Sequence, residues 1–397
     1  MELVSKRIAK LSESQTVAMN QKTKDLQAQG VDVINLTVGE PDFATPDHIK
    51  NAAKKAIDDN YSYYSPVMGY PDLLAAISKK LKEENNLDYA PGQIIVSNGA
   101  KHSLANALLC LIDPGDEVII PAPYWVSYAE LVKLAEGVNV IISTTIEDNF
   151  KASAAAIEKA ITPKTKALIL CSPSNPTGAV YRKEELEAIA KVLEKHPRIF
   201  VLSDEVYEYI NYIGKHESIA QFTSIKNRVV LINGVSKGFA MTGWRIGYMC
   251  GPLWLVKAAN KLQSQVTTGP NSIAQKASVV AYNSDRTSSM EMVKAFRRRR
   301  DLVLNELKEI PGIKVSIPDG AFYVFPDMSA FYGKKADGMK VNNSTDMSLY
   351  LLEKAFVSTV PGDAFGEDKC IRLSYATSDE KLQKAMKQMK EALWKLK

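Results

Sequence analysis

The apolar positions of this chain follow two periods. Short apolar runs recur at residues 94–97, 117–120, 139–143, 167–171, 199–203, 229–232 and 246–250. Between most of them, apolar residues return every three or four positions, over 104–112, 128–135, 153–161 and 183–194. Short runs bounded by turn formers read as buried strands, and the longer period reads as amphipathic helix. Their alternation predicts an α/β layer structure around a mostly parallel sheet. Upstream, residues 6–30 read as a polar start and a helix closed at Gly30, and 31–37 as a short strand running into Val38-Gly39-Glu40-Pro41-Asp42. Helices are expected over 46–60 and 71–85, flanking a loop dense in tyrosine, glycine and proline. Downstream, a long helix at 292–309 leads to short strands at 314–317, 321–325, 357–360 and 371–374, interleaved with helices, the last over 378–396. That last third reads as a smaller α+β domain with which the N-terminal segment packs. The expected division is a large domain, 46–309, and a small discontinuous one, 1–45 with 310–397.

In parallel sheets of this kind, ligands bind beyond the carboxyl ends of the strands. Five polar clusters follow five of the expected strands. Asn98-Gly99-Ala100-Lys101 opens a helix, and a small-residue turn at a helix N-terminus offers free N–H groups to a phosphate. Pro121-Ala122-Pro123-Tyr124-Trp125 is a stiff loop carrying an aromatic pair. Ser172-Pro173-Ser174-Asn175-Pro176-Thr177-Gly178 fixes an asparagine amide, and Asp204-Glu205-Val206-Tyr207 sets an acid and a phenol three apart. After the sixth run comes Ser236-Lys237, with Arg245 eight residues beyond the lysine. Lost solvation and a nearby cation both lower a lysine pKa, which makes the amine a nucleophile toward a carbonyl at neutral pH. Arg372, inside the last short strand, needs an anionic partner if it is buried.

Composition adds boundaries. At 397 residues, 46% hydrophobic and 24% charged, the chain has the make-up of a soluble globular protein. A formal charge of +5 is too small to argue for nucleic acid or membrane. The one basic run, residues 297–300, lies on an expected helix and reads as a solvated or internally paired face. Four scattered cysteines read as core residues in a reducing, cytoplasmic compartment. Neither a membrane span nor an apolar signal core is expected.

The segments LTVGEPDF, DPGDEVIIPAPYWVSY, SPSNPTGAVY, SDEVYE, SKGFAMTGWRIGY, GAFYVF and IRLSYA, in this order, resemble class I aminotransferases of the pyridoxal-phosphate fold-type I superfamily. The resemblance runs end to end and is strongest to the bacterial-type aspartate aminotransferases. It implies a seven-stranded mostly parallel sheet in the large domain, pyridoxal 5'-phosphate as cofactor, and a ping-pong exchange of an amino group between amino acids and 2-oxo acids. By this resemblance Lys237 carries the cofactor as an imine and, once freed, moves the substrate's α-proton. Asp204 pairs with the pyridine nitrogen, while Tyr207 and Asn175 hydrogen-bond the ring's phenolic oxygen. Trp125 stacks on the ring, and Gly99, Ala100, Lys101 and Arg245 surround the phosphate. Arg372 grips the substrate α-carboxylate, with Gly39, Trp125 and Asn175 beside it. Tyr64 reaches the phosphate of a second subunit, so a homodimer with shared active sites follows. Relatives often carry a hydroxyl residue three positions before the lysine; here that position is Gly234, so either Ser236 compensates or phosphate binding rests more on Arg245 and the helix N-terminus, the second being the expectation.

The same resemblance bears on substrate. In the bacterial-type branch a lysine in the phosphate turn reads the second carboxylate of aspartate or glutamate, and a threonine near the N-terminus shapes the pocket; Lys101 and Thr16 match them. Aspartate:2-oxoglutarate exchange is therefore expected, with a prephenate or aromatic aminotransferase as the alternative on this scaffold. A transcription regulator would add a helix-turn-helix domain, for which the pattern leaves no space. A nicotinamide oxidoreductase would show G-x-G-x-x-G after its first strand, and a metal hydrolase would show ligand-spaced histidines. Neither occurs here.

Overall fold

A computed structural model describes residues 4–13 and 15–397. Its central sheet has seven strands: β1 Ile94–Ser97, β2 Glu117–Ala122, β3 Val138–Ser143, β4 Thr165–Cys171, β5 Phe200–Asp204, β6 Val229–Gly234 and β7 Gly247–Cys250. Their spatial order is β1-β7-β6-β5-β4-β2-β3. All neighbours run parallel except those of β7, which is antiparallel to both β1 and β6. Strands β1, β6 and β7 are buried along their whole length, which is why they appear as unbroken apolar runs. Helices cover the sheet. The helix Lys183–Glu194 shows how locally this is determined: Glu185 Oε2 accepts from the Arg182 N–H at 2.7 Å, closing the first turn. Leu186, Ile189, Ala190 and Leu193 then bury one stripe.

The rest of the chain builds a second core. Strand Ile34–Asn35 pairs in parallel with Val357–Ser358, so the N-terminal segment does join the C-terminal region. Strands Val360–Pro361, Ile371–Ser374 and Tyr323–Val324 form a small antiparallel sheet. The long helix Thr287–Lys308 and the last helix Asp379–Leu393 pack their apolar faces on it, through Phe296, Val303, Leu304, Met386 and Met389 among others. Residues 314–317 do not form the expected strand. Lys314 makes a single bridge to Asp327, Ile317 is exposed, and Pro318 cannot donate to a ladder. Two helices escaped the sequence reading, Leu253–Val266 and Ser272–Asn283, each with a buried glutamine on its inner face. Among the described residues no helix is long and apolar enough to cross a membrane, and all four cysteines are free.

The second half of the basic run turns inward, with Arg299 and Arg300 buried and Arg297 and Arg298 exposed. Arg298 and Arg299 both bond Asp379, Arg299 also bonds Asp42 at 2.8 Å, and Arg300 bonds Asp301 and the Pro318 carbonyl. Arg299 thus ties the long helix to the loop after the first strand and to the last helix. Its removal strands Asp42 and leaves Asp379 to Arg298 alone, so Arg299→Ala is expected to cost about 2 kcal/mol. That loss is read as a lower urea midpoint; an unchanged midpoint would show that the three-way tie contributes nothing.

Candidate active site

A cavity of ≈ 330 Å³ opens at the carboxyl ends of β4, β5 and β6, where the parallel sheet meets the second core. Ten of the residues singled out from the sequence line it. Ala100, Lys101 and Trp125 come from the turns after β1 and β2. Asn175, Asp204 and Tyr207 follow β4 and β5, and Lys237 and Arg245 follow β6. Gly39 and Arg372 enter from the second core.

Lys237 is partly buried, and its amine donates to the Gly39 carbonyl. Burial brings its pKa down to about 8, helped by Arg372 and Arg245 and opposed by Glu40 and Asp204. The sequence argument anticipated both the desolvation and the cation. Asp204 ends β5 and is 3% exposed. Burial pushes its carboxyl up to about 6, against the pull of the Tyr128 hydroxyl, which donates to Oδ2 at 2.7 Å, and of the Val206 N–H. Arg372, 2% exposed, donates to Asn175 Oδ1 at 2.9 Å and to the Thr37 carbonyl at 2.6 Å. Its Nε has no partner. No carboxylate pairs with either cation among the described residues, although the interior is where a lone charge is most costly.

The turn after β1 is built for an anion. Gly99 lies at φ 84°, and a Cβ there would come 2.5 Å from Arg245 Nη2. The guanidinium of Arg245 therefore sits against the backbone at the start of helix Ala100–Leu111, beside its free N–H groups. Ser236 also lines this end. Gly234 faces Gly247 across the β6–β7 ladder, and a Cβ on Gly234 would lie 2.8 Å from the Ile246 carbonyl. A hydroxyl side chain has no space there, so an anion at this end is left to Arg245, Ser236 and the helix N-terminus. Lys101 stands at the rim with its amine 4.9 Å from the Trp125 ring centroid. Partial burial and Arg245 lower its pKa.

Three expectations fall outside this constellation. Gly99 shapes the anion turn without lining the cavity. Tyr64 is 93% exposed on the surface of this chain. The side chain of Thr16 lies outside the described residues. Two residues were not foreseen as site residues. Tyr128, one helical turn beyond Trp125, holds Asp204; the i, i+3 spacing in PYWVSY was the available signal. Tyr323 lies in the GAFYVF segment. Its hydroxyl meets that of Tyr207 at 2.9 Å and its ring stacks 4.5 Å from the Arg372 guanidinium.

The residues fit pyridoxal phosphate: a poised amine, a carboxylate buried opposite it, an anion cradle of Arg245 and helix N–H groups, and a flat aromatic face. Among the described residues no cluster could hold a metal ion. Comparison with known proteins agrees. Residues 31–389 match the family described as aminotransferase class I and II, whose members generally depend on pyridoxal phosphate. The chain is 49% identical over 395 residues, 98% of its length and 82% of the other's, to a Petunia hybrida protein named bifunctional aspartate aminotransferase and glutamate/aspartate-prephenate aminotransferase. It is 47% identical to a probable aspartate/prephenate aminotransferase of Rickettsia bellii, covering 99% of both chains. Among solved structures, the aspartate aminotransferase from Rhizobium meliloti superposes over the full length of both chains with a TM-score of 0.97 at 42% identity. The Thermus thermophilus enzyme with maleate superposes over 99% of this chain and 100% of its own, with a TM-score of 0.93 at 42% identity. With its seven-stranded α/β sheet, its amine-bearing cavity and a match spanning most of its length, this chain belongs to the class I and II aminotransferases.

Proposed function

We propose that this protein is an aspartate aminotransferase that uses pyridoxal 5'-phosphate to exchange the amino group between L-aspartate or L-glutamate and oxaloacetate or 2-oxoglutarate. The observation that carries the reading is the pair of unmatched cations in one cavity, Arg372 deep inside and Lys101 at the rim, with the Lys237 amine between the two cores. A substrate with two carboxylates would satisfy both, while a neutral amino acid would leave one charge unpaired.

Pyridoxal phosphate supplies the electron sink that makes loss of an amino acid's α-proton feasible. The chain does the rest. Arg372 presents a planar fork to the α-carboxylate, with one arm already held by Asn175. Lys237 would hold the cofactor and, when free, would carry a proton to and from the substrate's α-carbon through Nζ, an amine poised near neutrality. Asp204, kept in place by Tyr128, would hold the ring nitrogen in its cationic form. Tyr207 and Asn175 would bond the phenolic oxygen, and burial keeps the Tyr207 phenol protonated far beyond neutral pH. Gly99, Ala100, Lys101, Arg245 and Ser236 would surround the phosphate.

The division into a large domain, 46–309, and a small one, 1–45 with 310–397, belongs to the same proposal, as does a homodimer. The nearly complete exposure of Tyr64 suits a residue that completes a second subunit's site. Solvent location in the cytoplasm accords with four free cysteines. Prephenate also carries two carboxylates, and the names of the Petunia and Rickettsia relatives include it, so it is proposed as a second acceptor.

Two outcomes are expected. Only the neutral Lys237 amine can attack an aldehyde. Its reaction with added pyridoxal phosphate, followed by absorbance, should therefore quicken about tenfold per pH unit below pH 8 and level off above it. Lys237→Ala should show no covalent uptake at any pH, and a rate indifferent to pH would remove the amine from its role. Lys101→Ala should lower kcat/KM for aspartate by about 10²-fold relative to alanine. An unchanged preference would place the second carboxylate elsewhere.

A further inference from the structure

Strand β5 delivers Asp204 directly into the turn Glu205-Val206-Tyr207-Glu208, which the Glu208 N–H closes on the Glu205 carbonyl at 2.9 Å. Asp204 and Tyr207 line the cavity. Glu205 and Glu208 do not; they reach into a polar nest behind it. Glu205 Oε1 accepts from Ser203 at 2.8 Å and from Ser218 at 2.6 Å, and Oε2 pairs with His216 Nε2 at 2.9 Å. Glu208 pairs with Lys80, and its Oε2 accepts from Asn85 Nδ2 at 3.0 Å. Lys80 also donates to Asn85 Oδ1 at 2.8 Å. The charged side chains here are almost fully enclosed, at 0% exposure for Lys80, 1% for Glu205, 4% for Glu208 and 6% for His216. Burial and Lys80 pull the His216 pKa down, but Glu205 and Glu208 carry it above its ordinary value.

Burying four ionisable side chains is a poor way to gain stability, because apolar side chains of the same volume pack at least as well. What such a nest does provide is a single allowed arrangement, since each hydrogen bond has one partner in one direction. Here the arrangement fixed is the turn itself. Residues three apart face the same way, so the two acids at 205 and 208 hold one side while the acid and phenol at 204 and 207 present the other. Resting on the pyridoxal-phosphate reading, we propose that Glu205 and Glu208, paired with His216 and Lys80, are positioning residues that clamp this turn from behind and so set how Asp204 and Tyr207 meet the cofactor ring.

The test uses the full-length protein loaded with pyridoxal phosphate. Wild type is compared with Glu205→Gln, Glu208→Gln and His216→Gln, and with Leu193→Ala. Leu193 is buried on helix Lys183–Glu194, away from the site, and its truncation controls for lost stability alone. The readouts are the pH titration of the visible band of the lysine-bound cofactor and the affinity for cofactor. The three clamp variants should move the band's apparent pKa by at least about half a unit and weaken cofactor binding about tenfold or more. Leu193→Ala should move neither. If a glutamate variant does not fold, His216→Gln decides, because it keeps a donor toward Glu205 and leaves both glutamates in place. Clamp variants that bind cofactor and titrate like wild type would overturn the clamp alone. A wild-type protein that stays colourless would overturn the clamp and the cofactor reading together.

Discussion

Two cations held inside a protein with no anion of their own constrain everything around them. Arg372 is enclosed with its Nε unpartnered and its other arms on an amide oxygen and a backbone carbonyl. Lys237 has lost enough solvent that its pKa falls to about 8, with only the Gly39 carbonyl as its acceptor. A chain selected for stability alone would neutralise both. Keeping them open demands a scaffold that cannot collapse onto them. The fold provides it by placing the amine just past β6 of the large sheet and the guanidinium on strand Ile371–Ser374 of the small antiparallel sheet, with the cavity between them. An aldehyde on a cofactor would take up the amine, and a substrate carboxylate would supply the anion that the guanidinium lacks.

The seven strands of the large sheet were legible within one or two residues because each is a short apolar run bounded by turn formers, and β1, β6 and β7 are buried along their whole length. The candidate site was legible for the same reason, since in a parallel sheet chemistry gathers where those runs end. Asn175, Asp204 and Lys237 each stand just past one. What escaped was structure whose interior is polar. Helices Leu253–Val266 and Ser272–Asn283 turn Gln263 and Gln275 inward. Gln263 bonds Ser97, Asn106 and the Val67 and Val96 carbonyls, and Gln275 bonds Ser65, the Tyr70 N–H and the Pro270 carbonyl. Both are fully buried, so an apolar-period search finds a gap where the helix has its anchor. Tyr128 and Tyr323 were missed for a related reason. Each contacts a residue from a distant segment, Tyr128 with Asp204 and Tyr323 with Tyr207, and only Tyr128 left a local spacing, three beyond Trp125, that could have been read.

Gly234 shows the reverse case, where structure explains a departure visible in the sequence. A missing hydroxyl three residues before the lysine looked like a weakened phosphate site. The β6–β7 ladder instead requires a glycine there, and Arg245 reaches Gly99 from the adjoining turn. The anion cradle is formed by a different set of donors.

The most direct test of an open guanidinium beside a poised amine is the visible spectrum of the purified protein with pyridoxal phosphate, followed through one half of the exchange at a time. The account predicts a cofactor band that bleaches on adding aspartate or glutamate and returns on adding oxaloacetate or 2-oxoglutarate. A protein that takes up no cofactor, or whose band ignores both dicarboxylic amino acids, would contradict it.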